Sequence, residues 1–283
     1  MIVAAAICPS PPLLAPELTG QADILPELRA ASAAAVARLL AAAPDVVVVA
    51  GPADTTGPCD PAGRLSLASF APALRQGRPL ADNSKKRHAG PAVAPPAVTA
   101  PAVAATAVAA LTVAPSAVAP PPLPLALGIG AMLLDDAGYT GPRTLHGIAE
   151  GEPAATCLAL GRQLAASAPR VALLAVGDGT ARRSASAPGY LDERAAPFDE
   201  AVARAVRDGD LPAIAALDPA LAAALLAAGR PAWQTLAGAL SAAAPQAGYR
   251  AAADRPAASR PRTAVLYSDA PLGVAYLVAT LIP

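Results

Sequence analysis

Residues 1–8 read MIVAAAIC, a short apolar run that Pro9 closes. Such a run is typical of a strand that is buried on both faces of a parallel sheet. A stripe of leucines and valine at helical spacing follows over residues 27–43, and the apolar run VVVVA occupies residues 46–50. The order strand, helix, strand, with both strands apolar, predicts a βαβ unit of a parallel sheet.

The same alternation of helical and strand patterns returns in the second half of the chain. We predict further helices over residues 123–138, 152–168, 194–207, 219–228 and 231–244, and further strands over residues 143–148, 171–176, 263–267 and 273–281. Short apolar runs between amphipathic helices are typical of α/β proteins. The fold predicted for residues 1–283 is therefore one α/β domain, a layered sheet with helices on both faces.

A proline-rich segment interrupts this pattern over residues 84–122. Its residues 89–122 contain alanine, valine, proline and threonine but no charged residue, and a basic cluster at residues 85–88 precedes them. Such a composition predicts an inserted, polyproline-like disordered linker. The longest proline-free stretch, residues 102–114, is shorter than the ~20 residues that a membrane-spanning helix needs, so we expect no membrane segment.

Charge and cysteine content narrow the class of protein. Lysine and arginine total 21, as do aspartate and glutamate, so no net charge attracts nucleic acid or an anionic membrane. The three cysteines, Cys8, Cys59 and Cys157, lie far apart without metal-site spacing. The start of the chain has no basic stretch before its apolar run, so we expect no signal peptide. These features favour a cytoplasmic protein with a small-molecule ligand.

The candidate site residues follow the predicted strands. Ligands of open α/β sheets bind beyond the carboxyl ends of the strands, and parallel strands bring those ends to one edge. We expect Ser10 and Asp178 to carry any chemistry. The residues expected to line the ligand site are Asp54, Thr55, Gly177, Gly179, Thr180 and Arg182. The alternative is structural: Ser10 is then a turn residue, and the two aspartates cap backbone N–H groups.

Several common catalytic classes are excluded or disfavoured. The chain contains no G-x-S-x-G, G-x-G-x-x-G, G-x-x-x-x-G-K or H-E-x-x-H motif. Its two histidines are His88, beside the linker, and His146, within a predicted strand, so neither lies in a loop suited to a catalytic triad.

Six stretches resemble an actinobacterial branch of the LigB-type class III extradiol dioxygenase superfamily, which also includes the non-enzymatic Memo proteins. They are IVAAAICPSPPLL at residues 2–14, GDGTARRS at 177–184, APGYLD at 187–192, PFD at 197–199, AWQ at 232–234 and DAPLGVAY at 269–276. The likeness spans nearly the whole chain except residues 84–122. It implies a single α/β domain.

The resemblance also implies an Fe(II) site of two histidines and a glutamate, with a further histidine as acid/base, that opens catechol-like rings with O₂. In this chain the first histidine position is Ser10, and the second falls near Asp54. The acid/base position falls at residues 178–180, and the glutamate position falls at residues 230–232, just before Trp233. None of the family's iron ligands stands at these positions.

Two hypotheses of different class follow. In the first, the chain keeps the fold and the cleft of the family, binds a small polar or aromatic ligand and needs no cofactor. In the second, it is an active aromatic ring-cleaving dioxygenase with Fe(II) or another divalent metal. Asp54 and Asp178 alone would offer only oxygen ligands, which suit Mg²⁺ or Mn²⁺ better than Fe(II). The resemblance leaves enzymatic activity open and implies a possible homodimer.

Overall fold

The computed structural model of the chain describes residues 1–20, 22, 24–71, 78–79, 121–243 and 260–283. The predicted linker over residues 84–122 lies outside the described residues except for its last two. Of these, Pro122 begins the short strand Pro122–Leu123, so the last residue of the predicted segment belongs to a strand. The prediction of disorder for the rest of the segment stays a prediction.

Strands and helices alternate along the described part of the chain. The strands are β1 (Ile2–Cys8), β2 (Val46–Ala53), β3 (Gly57–Cys59), β4 (Arg64–Leu65), β5 (Arg78–Pro79), β6 (Pro122–Leu123), β7 (Arg143–Ala149), β8 (Val171–Val176), β9 (Arg262–Asp269) and β10 (Tyr276–Ile282). The helices are α1 (Pro16–Thr19), α2 (Pro26–Ala41), α3 (Leu125–Asp136), α4 (Ala154–Ala165), α5 (Ala195–Arg207), α6 (Leu211–Ala215), α7 (Pro219–Ala224) and α8 (Arg230–Ala243), with a 3₁₀ turn at Pro12–Leu14.

The main sheet has seven strands in the order β3-β7-β2-β8-β1-β10-β9. Its centre is parallel, because β8 pairs in parallel with both β1 and β2, and β2 pairs in parallel with β7. The flanking strands β3, β10 and β9 run antiparallel to their neighbours. A second, small sheet joins β5, β4 and β6. The βαβ unit predicted from residues 1–50 is confirmed as β1, α2 and β2.

Helices cover both faces of the main sheet, which confirms the predicted fold class. On one face α4, α5, α6 and α8 pack over the sheet, and α8 contacts β1, β2 and β8. On the other face α2 lies over β1 and β10, and α3 lies over β2. Strand β8 is buried along its whole length, because it lies between these two apolar layers. No helix in the described part of the chain is long and apolar enough to span a lipid bilayer.

Most predicted boundaries differ from the observed ones by a few residues. Three of them are wrong for a local backbone reason. The helix predicted from residue 123 begins at Leu125, because Leu123 belongs to β6. The helix predicted over 219–228 ends at Ala224, and Leu226 has a left-handed backbone with φ of 55°. The strand predicted from residue 273 begins at Tyr276, because Gly273 adopts φ of 76° in the preceding turn.

Candidate functional site

Two of the predicted site residues meet at the carboxyl edge of the sheet. Cys8 of β1 is paired with Val176 of β8, so the two strands end side by side. Ser10 and Asp178 each follow two residues later and therefore reach the same point. The Ser10 backbone N–H donates to Asp178 Oδ1 at 2.6 Å, and Ser10 Oγ lies 3.5 Å from the same oxygen.

The Asp178 carboxyl lies in a poorly solvated environment. Burial raises its pKa to about 6, against the opposing effect of the hydrogen bonds from the Ser10 backbone and hydroxyl. Tyr276 lies near enough for the two groups to interact. Its pKa is raised first by burial of the phenol and then by the negative charge of Asp178. A carboxyl group that titrates near neutrality can accept and return a proton at physiological pH.

The next residues of the same loop form a second polar cluster. Thr180 donates its backbone N–H to Asp199 Oδ1 at 3.0 Å and its hydroxyl to Asp199 Oδ2 at 2.6 Å. Arg183 donates from NH1 to Asp199 Oδ2 at 3.1 Å. Burial raises the pKa of Asp199, while Thr180 and Arg183 oppose that rise. Thr180, predicted to contact a ligand, is thus engaged with Asp199 on α5.

The two glycines of this loop permit close backbone approach, but the partner of each is the protein itself. A Cβ at Gly177 would lie 2.6 Å from the Cα of Gly229. A Cβ at Gly179 would lie 2.8 Å from the Cβ of Ala275. The Gly229 backbone N–H donates to the carbonyl of Asp178 at 2.8 Å, so the loop before α8 packs directly over the end of β8.

Arg182 points toward its own loop. Its NH1 donates to the Gly189 carbonyl at 2.6 Å. Its Nε is buried and has no hydrogen-bond partner among the described residues. No hydrogen bond joins Arg182 to Asp178 in the described part of the chain, so this guanidinium braces residues 182–189.

Asp54 and Thr55 are exposed and take no part in this cluster. Strand β2 pairs with β8 up to Ala50 but continues along β7 as far as Ala53, which is paired with Ala149. The loop after β2 therefore begins beyond the end of β8. Within the described residues, neither Asp54 nor Thr55 forms a hydrogen bond or ion pair with Ser10 or Asp178.

A cavity of about 370 Å³ adjoins the cluster, between the 177–184 loop, α5 and the β9–β10 hairpin. Gly179, which follows Asp178 in the chain, and Tyr276 line it, whereas neither Ser10 nor Asp178 does. The other lining residues are Arg183, Asp199, Glu200, Val202, Ala203, Arg204, Arg207, Trp233, Ser268, Asp269, Ala275 and Leu277. The cavity is thus lined by both charged and apolar side chains.

The positions that the resemblance assigns to iron ligands do not fit an Fe(II) site. At the glutamate position Arg230 is almost fully buried, at 1% exposure, and donates to the backbone carbonyls of Glu150 and Glu152. A third donor contact of Arg230 reaches Gln234 Oε1 at 3.0 Å. A guanidinium is always charged and repels a metal ion. Among the described residues, no three His, Cys, Asp or Glu side chains lie close enough together to hold a metal.

His146 is the one histidine in the described residues. It lies on β7, as predicted, and burial lowers its pKa. It is paired across the sheet with Ala50 and Pro58, away from the Ser10–Asp178 pair.

Three residues of the cluster had no role predicted from the sequence: Asp199, Trp233 and Tyr276. Arg183 differs from them, because it lies with Arg182 in the loop after β8 and suits an anion on sequence grounds. The other three lie within the stretches that carry the family resemblance, which is the signal that could have found them. Loop position after a strand does not reveal them, because Asp199 and Trp233 lie on helices and Tyr276 begins a strand.

Comparison with known proteins leaves the function open. No family model matches the chain, and no curated protein matches it. Among solved structures, one match is the crystal structure of an uncharacterized protein from Escherichia coli K12. The two chains are 15% identical, the match covers 99% of this chain and 100% of the other, and the TM-score is 0.48.

Proposed function

We propose that the chain is a LigB-like α/β protein that binds a small polar or aromatic molecule at the carboxyl edge of its sheet, without the iron chemistry of that superfamily. The observation that carries the proposal is the contact of Asp178 with Ser10, beside Tyr276 and at the border of a cavity. Ligand sites of open α/β sheets lie at this edge.

The chemistry of the pair supports a polar ligand. The Ser10 N–H holds Oδ1 of Asp178, which leaves the other carboxyl oxygen without a hydrogen bond among the described residues. With a pKa of about 6, the group offers both a protonated and an ionised form near neutral pH. It can therefore donate to or accept from a ligand hydroxyl, while Tyr276 supplies an aromatic wall.

The test is a binding screen with phenol, catechol and 4-hydroxybenzoate, followed by ligand-observed NMR. We expect binding of at least one compound to the wild-type protein and a loss of roughly 10-fold or more in Asp178→Asn, because a buried charged hydrogen bond is removed. Asp54→Asn is the matched control and should keep the wild-type affinity. Equal affinity in wild type and Asp178→Asn would contradict the proposal.

A second experiment tests whether the protein binds iron and cleaves catechol rings. The protein is loaded anaerobically with Fe(II), its metal content is measured, and O₂ uptake is followed after catechol or protocatechuate is added. We expect less than one equivalent of bound iron and no O₂ uptake, because both histidine positions and the glutamate position that the resemblance implies lack a metal ligand of the family. Stoichiometric iron together with O₂ uptake would instead support a ring-cleaving dioxygenase.

A further inference from the structure

The cavity beside the 177–184 loop has three arginines in its wall, Arg183, Arg204 and Arg207. We call it the arginine cavity. It lies between α5 and the β9–β10 hairpin, and the proposed function assigns no role to its charged side chains. Arginine is the side chain best suited to bind carboxylate and phosphate groups, because its planar fork of donors matches their oxygens.

Arg183 is held in place before any ligand arrives. Its NH1 donates to Asp199 Oδ2, and Asp199 is in turn fixed by the backbone N–H and the hydroxyl of Thr180. The Arg183 side chain remains 27% exposed where it lines the cavity. A guanidinium has five N–H donors, and among the described residues Asp199 engages only NH1. The remaining donors are available for an anion at little entropic cost.

The second half of the positive wall is formed by α5. Arg204 and Arg207 lie in its last turn, and neither forms an ion pair among the described residues. Three carboxylates, Asp199, Glu200 and Asp269, also line the cavity and balance the charge of its three arginines. Any preference of the cavity for an anion therefore depends on the free N–H donors of Arg183. Each single charge in the wall should change the affinity for an anion.

The floor of the cavity is apolar and aromatic. Trp233 is 1% exposed and lines it together with Val202 and Leu277. The indole Nε1 of Trp233 is buried and has no hydrogen-bond partner among the described residues. Because this nitrogen is closed off from solvent, the indole contributes apolar surface to the cavity and no hydrogen bond.

We infer that the arginine cavity binds the oxyanion group, carboxylate or phosphate, of a small organic molecule whose apolar part packs against Trp233. Arg183 makes the direct contact, and Arg204 and Arg207 add positive charge. This inference goes beyond the proposed function, because it assigns a role to the arginines and uses neither Ser10 nor Asp178, although Tyr276 borders both the Ser10–Asp178 pair and this cavity.

Trp233 makes the inference directly measurable. It is the single tryptophan of the chain, so all tryptophan fluorescence comes from this one residue of the cavity wall, which also lies beside Gly229 and the Asp178 loop. The full-length protein is titrated with inorganic phosphate and with hexanoate, each at constant ionic strength set by chloride. We expect a saturable change in tryptophan fluorescence with at least one probe. Tighter binding of hexanoate assigns a carboxylate with an apolar body, and tighter binding of phosphate assigns a phosphate group.

Charge variants then test which side chains are responsible. Arg183→Gln should weaken binding by roughly 10-fold, because a preorganised charged contact is lost. Arg204→Gln should weaken it by roughly 3-fold and Glu200→Gln should strengthen it by a similar factor, as expected for exposed charges. Arg162→Gln, which removes an exposed arginine of α4 outside the cavity, should change nothing.

The opposite signs at residues 200 and 204 distinguish anion binding from general damage to α5. They also keep the test decisive if Arg183→Gln fails to fold through loss of its contact with Asp199. Absence of a saturable fluorescence change with both probes, or equal affinities in the Glu200→Gln, Arg204→Gln and wild-type proteins, would overturn the inference.

Discussion

Two loops leave neighbouring strands of the same sheet at the same end, yet they contact different parts of the molecule. The loop after β8, residues 177–184, contacts Ser10, Asp199 and the backbone before α8. The loop after β2 begins with exposed Asp54 and Thr55 and returns at once as β3. Its Thr56 bonds to Glu152 and accepts the Ala149 N–H at 3.0 Å, so it is tied to β7.

Strand direction alone therefore does not decide which loops come together at one site. Both loops follow parallel strands, but β2 runs on past β8, from Ala50 to Ala53, in register with β7. Strand β8, in contrast, ends level with β1, where Cys8 faces Val176. Loops meet when their strands are neighbours and also end at the same level.

The largest difference in unfolding free energy should appear when one methyl group is added next to each strand end, at Gly177 after β8 and at Gly57 after the β2 loop. Gly177→Ala would place its Cβ 2.6 Å from the backbone of Gly229, so the loop before α8 must move. We expect the variant to lose about 2 to 4 kcal/mol of unfolding free energy. Gly57→Ala, in the strand after the β2 loop, meets nothing within 4 Å and should change stability by less than about 0.5 kcal/mol.

Urea unfolding of the two variants measures both values. Similar losses in Gly177→Ala and Gly57→Ala would show that the packing of the β8 loop against α8 is not what distinguishes the loops.

Much of the fold could be predicted from apolar runs. The strand predicted over residues 171–176 has those bounds in the structure, where its wholly apolar six-residue run lies inside a sheet covered on both faces. Turn geometry was harder to predict: the helix predicted to reach residue 228 ends at Ala224, and no composition rule anticipates the left-handed backbone of Leu226.

The site could be predicted only where the chain itself brings residues to a strand end. Ser10 and Asp178 were named from that rule and lie in contact. Asp54 obeys the same rule but is exposed, because the extra length of β2 depends on pairing with β7. Asp199 and Trp233 reach the cavity from helices distant in sequence, and strand ends carry no information about them.

A smaller effect, with a defined pH dependence, should separate the two aspartates. The pKa of Asp178 is raised from 3.8 to about 6, so between these values the folded protein binds more protons than the unfolded chain. Stability contributed by this group is therefore lost as pH rises from about 4 to above 6. Asp178→Asn carries no charge, so it should exceed the wild type by about 1 to 2 kcal/mol at pH 7 to 8.

Denaturant unfolding at a series of pH values measures this difference. At pH 3 and below, wild-type Asp178 is largely protonated in both states, and the advantage of the variant should vanish. Asp54→Asn provides the matched control, because Asp54 is exposed and should show no such dependence. An Asp178→Asn variant that is less stable than wild type at pH 8 would mean that the ionised carboxylate stabilises the fold.

The smallest effect should come from the serine that touches Asp178. Two contacts join these residues, the backbone N–H at 2.6 Å and the hydroxyl at 3.5 Å. Ser10→Ala removes only the second, which is at the limit of hydrogen-bond distance, so we expect a loss of no more than about 0.5 kcal/mol. The hydroxyl favours the ionised carboxylate, so its removal should also raise the pKa of Asp178 slightly further. Carboxyl-carbon NMR of Asp178 across the titration measures that change, and Thr55→Ala in the β2 loop should leave it unaltered. If Ser10→Ala instead lowers the pKa of Asp178, the hydroxyl donates elsewhere and the backbone N–H alone orients the carboxylate.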